Sequence, residues 1–155
     1  MLKVRPKSAF SERYDVLDGR KKLTTVNIGW WREAGEFRLG GEGYKVGRQG
    51  LRLGLFYLEQ DGKVLATAEK PSALFNRFRV HHRGTEYELA RRSMLGRSFD
   101  LKRNGVRVGS MTATSAFTRS AEVKLPEKLP VPVQVFITWL VLVIWKRLRQ
   151  TGTGA

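Results

Sequence analysis

Cysteine is absent from the 155 residues of the chain, and histidine occurs only twice. The absence of cysteine excludes a disulfide scaffold, thiolate metal sites and cysteine catalysis. His81 and His82 are neighbours that would point to opposite faces of a strand, and no spaced set of His, Asp or Glu accompanies them. We therefore expect structural or surface roles for both histidines and no metal site.

Sequence motifs typical of enzymes are also missing. The chain contains neither a Gly-x-Ser-x-Gly elbow nor a Gly-Lys-Ser/Thr phosphate loop. The glycine-rich residues 35–54 lack the strand-then-helix setting of a dinucleotide site. Glu86 and Glu88 share one strand face, and we expect them to form cross-strand ion pairs rather than an acid–base pair. The sequence therefore predicts a protein that is not an enzyme and needs no cofactor.

Acidic residues are scarce relative to basic ones. The chain has 14 Asp and Glu against 29 Lys and Arg, which gives a formal net charge of +15 at pH 7. A surplus of this size on a small protein predicts partners of negative charge, above all phosphates. The hydrophobic share of 41% and the charged share of 28% are typical of a folded protein, and the length suits a single domain.

Long apolar runs are absent except near the C-terminus. Residues 1–10 alternate charged and apolar side chains, so we expect no export signal and a cytoplasmic protein. In residues 131–145 the only residues that are not apolar are Pro132, Gln134 and Thr138. This segment is short for a membrane span of about 20 residues, yet it is apolar on every side. It predicts a helix that is enclosed completely, either by the rest of the chain or by lipid as a tail anchor.

The remaining chain has the pattern of an all-β protein. Alternation of apolar and polar residues recurs in residues 52–58, 78–82, 87–90 and 97–101, and turn dipeptides such as Asn104-Gly105 separate the runs. About eleven candidate strands result, at the spacing usual in barrels and sandwiches. No amphipathic helix is predicted before residue 129.

An internal repeat organises several of these strands. Segments that begin at Phe56, Phe78 and Phe99 share a frame of Phe, an apolar residue two positions later and Gly six positions later. A version that begins at Tyr14 is one residue shorter. Because the aromatic and the apolar residue fall on one strand face, the frame predicts a repeated hairpin with that face turned inward.

Two of the hairpins have a predicted register. A two-residue turn at Arg83-Gly84 sets four pairs: Phe78 with Leu89 and Val80 with Tyr87 on the apolar face, and Arg79 with Glu88 and His81 with Glu86 on the polar face. The turn at Asn104-Gly105 likewise sets Leu101 against Val108, and Lys102 beside Arg107. This last pair is like-charged and unfavourable by itself, which favours a bound anion there.

The order of these features resembles the tubby C-terminal-like superfamily, which includes the LURP-one-related proteins and the phospholipid scramblases. The resemblance rests on Tyr-Asp-Val-Leu-Asp-Gly at the start, the repeated Phe frames and the final apolar helix, and it extends over residues 11–148. It implies a closed antiparallel β-barrel of about eleven or twelve strands around a central hydrophobic C-terminal helix. It also implies phosphoinositide binding through basic residues, although the motif of the family's ligand site is not found in this chain. In the scramblases the helix has been interpreted both as barrel core and as membrane anchor, so both alternatives stay open.

The predicted domain organisation follows from this resemblance. Residues 11–148 form one barrel domain with its core helix at 130–148, residues 1–10 are an N-terminal extension, and residues 149–155 are a flexible tail. The helix residues expected in the core are Val135, Phe136, Trp139, Leu140, Val143 and Ile144. Lys146, Arg147 and Arg149 are expected to emerge at the far rim of the barrel.

Basic residues are concentrated between positions 77 and 107. The candidates for anion binding are Arg79, Arg91, Arg92, Lys102, Arg103 and Arg107. The predicted function is peripheral binding of anionic phospholipid headgroups through a basic outer face. A solvated face that only keeps the protein soluble is the plainer interpretation of the same charges.

Two other functions remain as alternatives. The first is a scramblase-like or tail-anchored membrane protein that uses residues 131–145 as its membrane helix. The second is non-specific nucleic-acid binding, in which bases would stack on exposed aromatic rings, with Trp30, Trp31, Tyr44 and Tyr57 as candidates. We rank nucleic acid below lipid because the basic run is not interleaved with exposed aromatic residues.

Overall fold

The computed structural model describes residues 1–29, 32–49, 54–71, 76–115 and 118–152. These residues form β-strands followed by one long α-helix, α1, at Val131–Gln150. The strands are β1 Leu2–Pro6, β2 Arg13–Asp18, β3 Lys21–Asn27, β4 Ala34–Leu39, β5 Glu42–Arg48, β6 Leu55–Gln60, β7 Lys63–Glu69, β8 Arg77–His82, β9 Thr85–Arg91, β10 Phe99–Arg103, β11 Val106–Ala113 and β12 Ala121–Lys124.

The twelve strands form one antiparallel sheet that curls into a nearly closed barrel. Their order is β3-β2-β1-β12-β11-β10-β9-β8-β7-β6-β5-β4, and the two outermost strands, β3 and β4, lie side by side. Among the described residues no backbone ladder joins these two strands. The Arg38 backbone N–H instead donates to the Thr24 hydroxyl oxygen at 3.3 Å across the gap. The predicted β-barrel is confirmed, and its closure is completed by packing at this seam between β3 and β4.

The barrel has two different ends. Two-residue turns join β2–β3, β4–β5, β6–β7, β8–β9 and β10–β11 at one end, which we call the hairpin end. Since the strands alternate in direction, all six longer connections join strand ends at the opposite end, which we call the loop end. At the hairpin end, Asp61, Arg83 and Asn104 have φ values of 49°, 46° and 51°, and each precedes a glycine with positive φ. Two successive positive φ values are the type I′ pattern that the sequence predicts.

The repeated Phe frame is confirmed as an inward-facing hairpin unit. Phe56, Phe78, Phe99 and the corresponding Tyr14 are each at most 1% exposed. The apolar residue two positions after each of them is buried as well. Each repeat therefore contributes one aromatic and one aliphatic side chain to the barrel interior, which is what holds the strands in this register.

The predicted register is confirmed in one hairpin and corrected in the other. All four predicted pairs between β8 and β9 are observed. Between β10 and β11, Lys102 lies opposite Arg107 as predicted, but Leu101 lies opposite Gly109 and not Val108. The reason is a β-bulge that inserts Val108 as an extra residue on β11. A bulge cannot be derived from alternation alone, because it breaks the period of two.

Helix α1 runs through the barrel and fills it. Its six predicted core residues, Val135, Phe136, Trp139, Leu140, Val143 and Ile144, all have 0% exposure. The Trp139 ring packs edge-on against Phe56 at 5.9 Å, and its indole N–H donates to the Asn27 carbonyl oxygen at 3.1 Å. The helix is long and apolar enough to cross a membrane, but most of it is buried within the sheet of its own chain. A helix that is apolar on all sides is explained by this enclosure.

The boundaries of the domain differ from the prediction at both ends. Leu2–Pro6, expected in an N-terminal extension, forms a strand between β2 and β12. Its alternating Leu2 and Val4 side chains are buried in the core, so its short alternation was a strand signal. The helix begins after Pro130 and continues to Gln150, so it takes in the first two residues of the predicted tail.

Candidate functional site

The six predicted anion-binding residues do not form one patch. They are divided between three places: Arg91 and Arg92 at the loop end, Arg79 in the middle of β8, and Lys102, Arg103 and Arg107 at the hairpin end. Their proposed role in binding remains a prediction, and the structure shows which of them have protein partners.

Carboxylates offset much of the charge on the outer face of β7–β11. Across the strands, Arg79 lies between Glu69 and Glu88, and Lys102 lies on the other side of Glu88. A cleft of about 380 Å³ at the hairpin end is lined by Glu86 and Glu88 as well as by Lys102 and Arg103. This surface alternates in sign, and alternating cross-strand pairs are the ordinary form of a solvated sheet face.

The basic surplus is concentrated where helix α1 leaves the barrel at the loop end. Seven basic side chains from five different segments are brought together there, with two carboxylates among the described residues, and we call this group the helix-exit cluster. Its basic members are Arg48, Lys70, Arg97, Arg119, Lys146, Arg147 and Arg149, and its carboxylates are Glu12 and Glu33.

One side of the cluster is organised by Glu33. The Arg147 guanidinium donates to both Glu33 carboxylate oxygens, each at 2.5 Å, and Arg48 reaches the same carboxylate at 3.3 Å. The Arg147 guanidinium also lies over the Phe56 ring at 5.6 Å from its centre. The buried Lys146 ammonium donates to the Gly29 carbonyl oxygen. Two consecutive helix residues therefore attach α1 to the connection between β3 and β4.

The other side of the cluster is organised by Tyr14 and Glu12. Arg119 donates to the Tyr14 hydroxyl oxygen at 2.9 Å, and Arg149 lies 4.0 Å from the Glu12 carboxylate. Among the described residues, the buried Oε2 of Glu12 and the buried NH1 of Arg149 have no hydrogen-bond partner. Arg97 lies over the helix side chain Trp145, 5.1 Å from its ring centre.

Positive charges in the cluster lie close enough to affect one another. Burial lowers the pKa of Lys70, and the neighbouring Arg147 charge lowers it further, while Glu33 opposes the shift. Burial and then the Arg149 charge lower the pKa of Arg97. Like charges held together in a partly desolvated place repel each other, and a bound anion relieves that repulsion. The arrangement is therefore suited to binding phosphate or carboxylate groups.

Exposed apolar side chains stand at the same end of the barrel. Phe10, on the β1–β2 connection, is 93% exposed, and Met94 and Leu95, on the β9–β10 connection, are 91% and 98% exposed. These are the highest exposures among the large apolar residues that the structure describes. Exposed apolar groups beside basic residues are typical of surfaces that meet a membrane or another protein.

A cleft of about 430 Å³ lies beside the β9–β10 connection. It is lined by Asn76, Arg77, Ala90, Arg91, Arg92, Ser93 and Met94. Arg91 and Arg92, two of the predicted anion-binding residues, are thus adjacent to the exposed apolar pair. No carboxylate is among the described residues that line this cleft, in contrast to the cleft at the hairpin end, although Arg77 of its lining lies 3.9 Å from Glu88.

The histidines and the aromatic candidates have ordinary packing roles where they are described. His81 lies 3.6 Å from Glu86, and His82 Nδ1 is 3.1 Å from the Leu65 carbonyl oxygen. Within the described ranges no group of three or more His, Cys, Asp or Glu is placed to hold a metal ion. Tyr44 stacks on Phe37 with 5.1 Å between ring centres. Trp30 and Trp31 lie outside the described residues.

The helix-exit cluster was only partly visible in the sequence. Lys146, Arg147 and Arg149 were expected at the rim, but Arg48 ends strand β5, and Lys70 and Arg119 belong to connections far away in the chain. The available signal was topological: in an up-and-down barrel every second connection lies at the same end as the C-terminus of the helix. Sequence proximity, the criterion used above, favoured residues 77–107 instead.

Comparisons of the chain with protein-family models, with curated proteins and with solved structures found no significant match. The resemblance to the tubby C-terminal-like superfamily therefore stays a prediction.

Proposed function

We propose that this protein is a non-enzymatic module that binds anionic phospholipid headgroups at a membrane surface through the loop end of its barrel. The observation that supports this most is the helix-exit cluster, where seven basic side chains surround two carboxylates. Each basic residue near an anionic leaflet contributes about 1 kcal/mol, so a few acting together give measurable binding that salt weakens.

Lipid is favoured over nucleic acid because exposed apolar side chains lie at the same end of the barrel as the basic residues. Phe10, Met94 and Leu95 are almost fully exposed at the same end of the barrel. Contacts with nucleic-acid phosphates gain nothing from the aliphatic tips of Met94 and Leu95, and of these three side chains only Phe10 could stack on a base. A membrane surface offers partners to both kinds of side chain, because phosphates lie directly above the hydrocarbon.

Co-sedimentation with vesicles tests the proposal. Vesicles of phosphatidylcholine and phosphatidylserine are compared with vesicles of phosphatidylcholine alone, across a salt series. One triple variant removes charge from the cluster: Lys70→Gln, Arg97→Gln and Arg149→Gln. A control triple variant removes the same charge from exposed lysines at the hairpin end: Lys21→Gln, Lys63→Gln and Lys128→Gln. Circular dichroism confirms that both variants remain folded.

We expect binding to the acidic vesicles only, and a loss of about one hundredfold in the cluster variant, which corresponds to about 3 kcal/mol. The control variant should lose far less. Equal losses in both variants would mean that net charge alone drives binding and would refute the assignment of the site. A parallel gel shift with single-stranded oligonucleotide in which binding is tighter than to vesicles would favour the nucleic-acid alternative. Retention in the pellet after alkaline carbonate washing would favour a tail anchor.

A further inference from the structure

We infer that the β9–β10 connection is a membrane-docking loop, in which Met94 and Leu95 insert below the phosphates while the adjacent basic cleft takes a lipid headgroup. This inference rests on the proposed function and specifies how the loop end meets the bilayer. Three observations support it. Hydrogen bonds hold the loop in a defined conformation, Met94 and Leu95 at its tip are exposed, and the cleft beneath the tip is basic.

The loop is held in shape by its own hydrogen bonds. The Arg91 Nε–H donates to the Gly96 carbonyl oxygen at 2.9 Å, and the Gly96 backbone N–H donates to the Ser93 hydroxyl oxygen at 3.2 Å. The Arg92 backbone N–H donates to the Ser98 carbonyl oxygen at 2.9 Å. The two apolar residues at the tip are therefore projected by a defined turn, and inserting them requires no refolding of the loop.

Neighbouring loops are tied to this one by arginine side chains. Arg97 donates to the Ser115 carbonyl oxygen of the β11–β12 connection. From that same connection, Arg119 donates to the carbonyl oxygens of Ser8 and Ala9 at 3.0 and 2.6 Å. Ala9 precedes the exposed Phe10. Three connections at the loop end are thus linked in series, and their apolar tips belong to one assembly.

The exposure of the tip lacks any explanation within the described chain. Leu95 is 98% exposed and Met94 is 91% exposed. Apolar surface in water is unfavourable in proportion to its area, and two ordered side chains at a tip gain from transfer into hydrocarbon. The neighbouring Arg91 and Arg92 then lie at the depth of the phosphates, where charge complementarity favours an acidic leaflet over an apolar protein surface.

The cleft below the tip has the character of a headgroup site. Three arginines line it together with the Asn76 amide and the Ser93 hydroxyl, and Met94 forms part of both the tip and the cleft wall. Arg92 is held by Asp100, with Nε–H and NH2 donating at 3.1 and 2.9 Å. Since Asp100 lies outside the cleft lining, it orients the guanidinium without occupying the cavity.

Site-specific labelling tests insertion directly, because the chain has no cysteine of its own. Leu95→Cys is labelled with an environment-sensitive fluorophore, and Val106→Cys, at the hairpin end, is the matched control. Both proteins are mixed with acidic vesicles that contain lipids brominated in the acyl chain. We expect a blue shift and quenching at position 95 and neither change at position 106. If the labelled proteins bind but both positions respond alike, insertion is refuted while the proposed function stands.

A binding measurement gives a second, independent readout. The double variant Met94→Ser and Leu95→Ser is compared with the double variant Val64→Ser and Val106→Ser, which removes exposed apolar side chains at the hairpin end. We expect the first to weaken binding to acidic vesicles by at least about tenfold, with the loss persisting at high salt, and the second to bind like the unmodified protein. Equal affinities for both variants would overturn the inference. Absence of binding by the unmodified protein would overturn the proposed function and the inference together.

Discussion

Tyr14 links the core of the barrel to the basic cluster at its loop end. Its ring is fully buried, while its hydroxyl oxygen accepts a hydrogen bond from Arg119, whose guanidinium lies 5.4 Å from the ring centre. Burial raises the pKa of Tyr14, and the charges of Arg149 and Arg119 oppose that shift only in part. A single residue thus reports both on core packing and on the electrostatics of the cluster.

The raised pKa of Tyr14 predicts a specific pH dependence of stability. The folded protein keeps the Tyr14 proton to a higher pH than the unfolded chain, so this contribution to stability is complete below about pH 10 and is lost as the pH rises through the folded-state pKa. Tyr14→Phe lacks this term, but it also lacks one hydrogen bond, at a cost of about 1 kcal/mol. Urea unfolding between pH 8 and pH 11 measures the free energy of unfolding of the unmodified protein and of Tyr14→Phe. The difference between these two free energies should narrow above about pH 10. A gap that stays constant over this range would contradict the prediction.

At the scale of elements, the hairpins were predictable and their bulges were not. The Phe frames and their Gly turns are local signals, and they placed the aromatic residues, the turns and the β8–β9 register correctly. The bulge at Val108 was missed because it breaks the period of two on which the predicted register depends. Strand β1 was missed because it has only five residues and two of them are charged. Its apolar residues Leu2 and Val4 do alternate with charged ones, as in other strands.

The existence of the helix was predicted from composition, whereas the cluster at its end was not. A helix that is apolar on every side must be enclosed, but composition left open whether lipid or the rest of the chain encloses Trp139 and its neighbours. The partners of Arg147 and Arg149 depend on which connections meet the helix end. Glu33 and Glu12 lie more than a hundred residues earlier in the chain, and their approach follows from closure of the barrel.

The central helix predicts an all-or-none response to charge in its middle. Val141→Asp places a carboxylate at a position with 0% exposure, and an unpaired buried charge costs several kcal/mol against a total stability of about 5 to 15 kcal/mol. We expect the variant to lose cooperative thermal unfolding and near-ultraviolet circular dichroism. Val131→Asp is the control, because Val131 is 38% exposed in the first turn, where a carboxylate favours the helix. Cooperative unfolding of Val141→Asp would show that the helix is not required as core.

At the scale of the whole molecule, the seam between β3 and β4 decides whether the sheet closes. Gly35 on β4 approaches β3 so closely that an added Cβ would lie 1.9 Å from the Asn27 carbonyl oxygen. That same oxygen accepts the hydrogen bond from Trp139 of the helix. On the loop side, Arg147 and Lys146 attach the helix to residues of the connection that joins the two strands. The helix therefore fastens the seam as well as filling the interior.

A methyl group at the seam should open it. Gly35→Ala forces β3 and β4 apart and disturbs the Trp139 hydrogen bond, so we expect a loss of about 2 kcal/mol in the free energy of unfolding. Gly43→Ala, in the same hairpin, is the control, because the nearest atom to its added Cβ is a flexible Arg38 side-chain nitrogen at 3.9 Å. Amide hydrogen exchange should accelerate in β3 and β4 of Gly35→Ala. Equal stability of the two variants would show that the seam tolerates separation.

The position of the filling helix after all twelve strands has a consequence for biosynthesis. The ribosome synthesises all twelve strands before it synthesises helix α1, which they surround. Translation proceeds at about 5–20 residues per second. For several seconds the aromatic side chains of the strands lack the helix against which they pack in the folded protein. We expect chaperones to bind mainly between synthesis of the strands and emergence of α1 from the ribosome. Folding of the barrel is then completed late and in one step, when α1 becomes available.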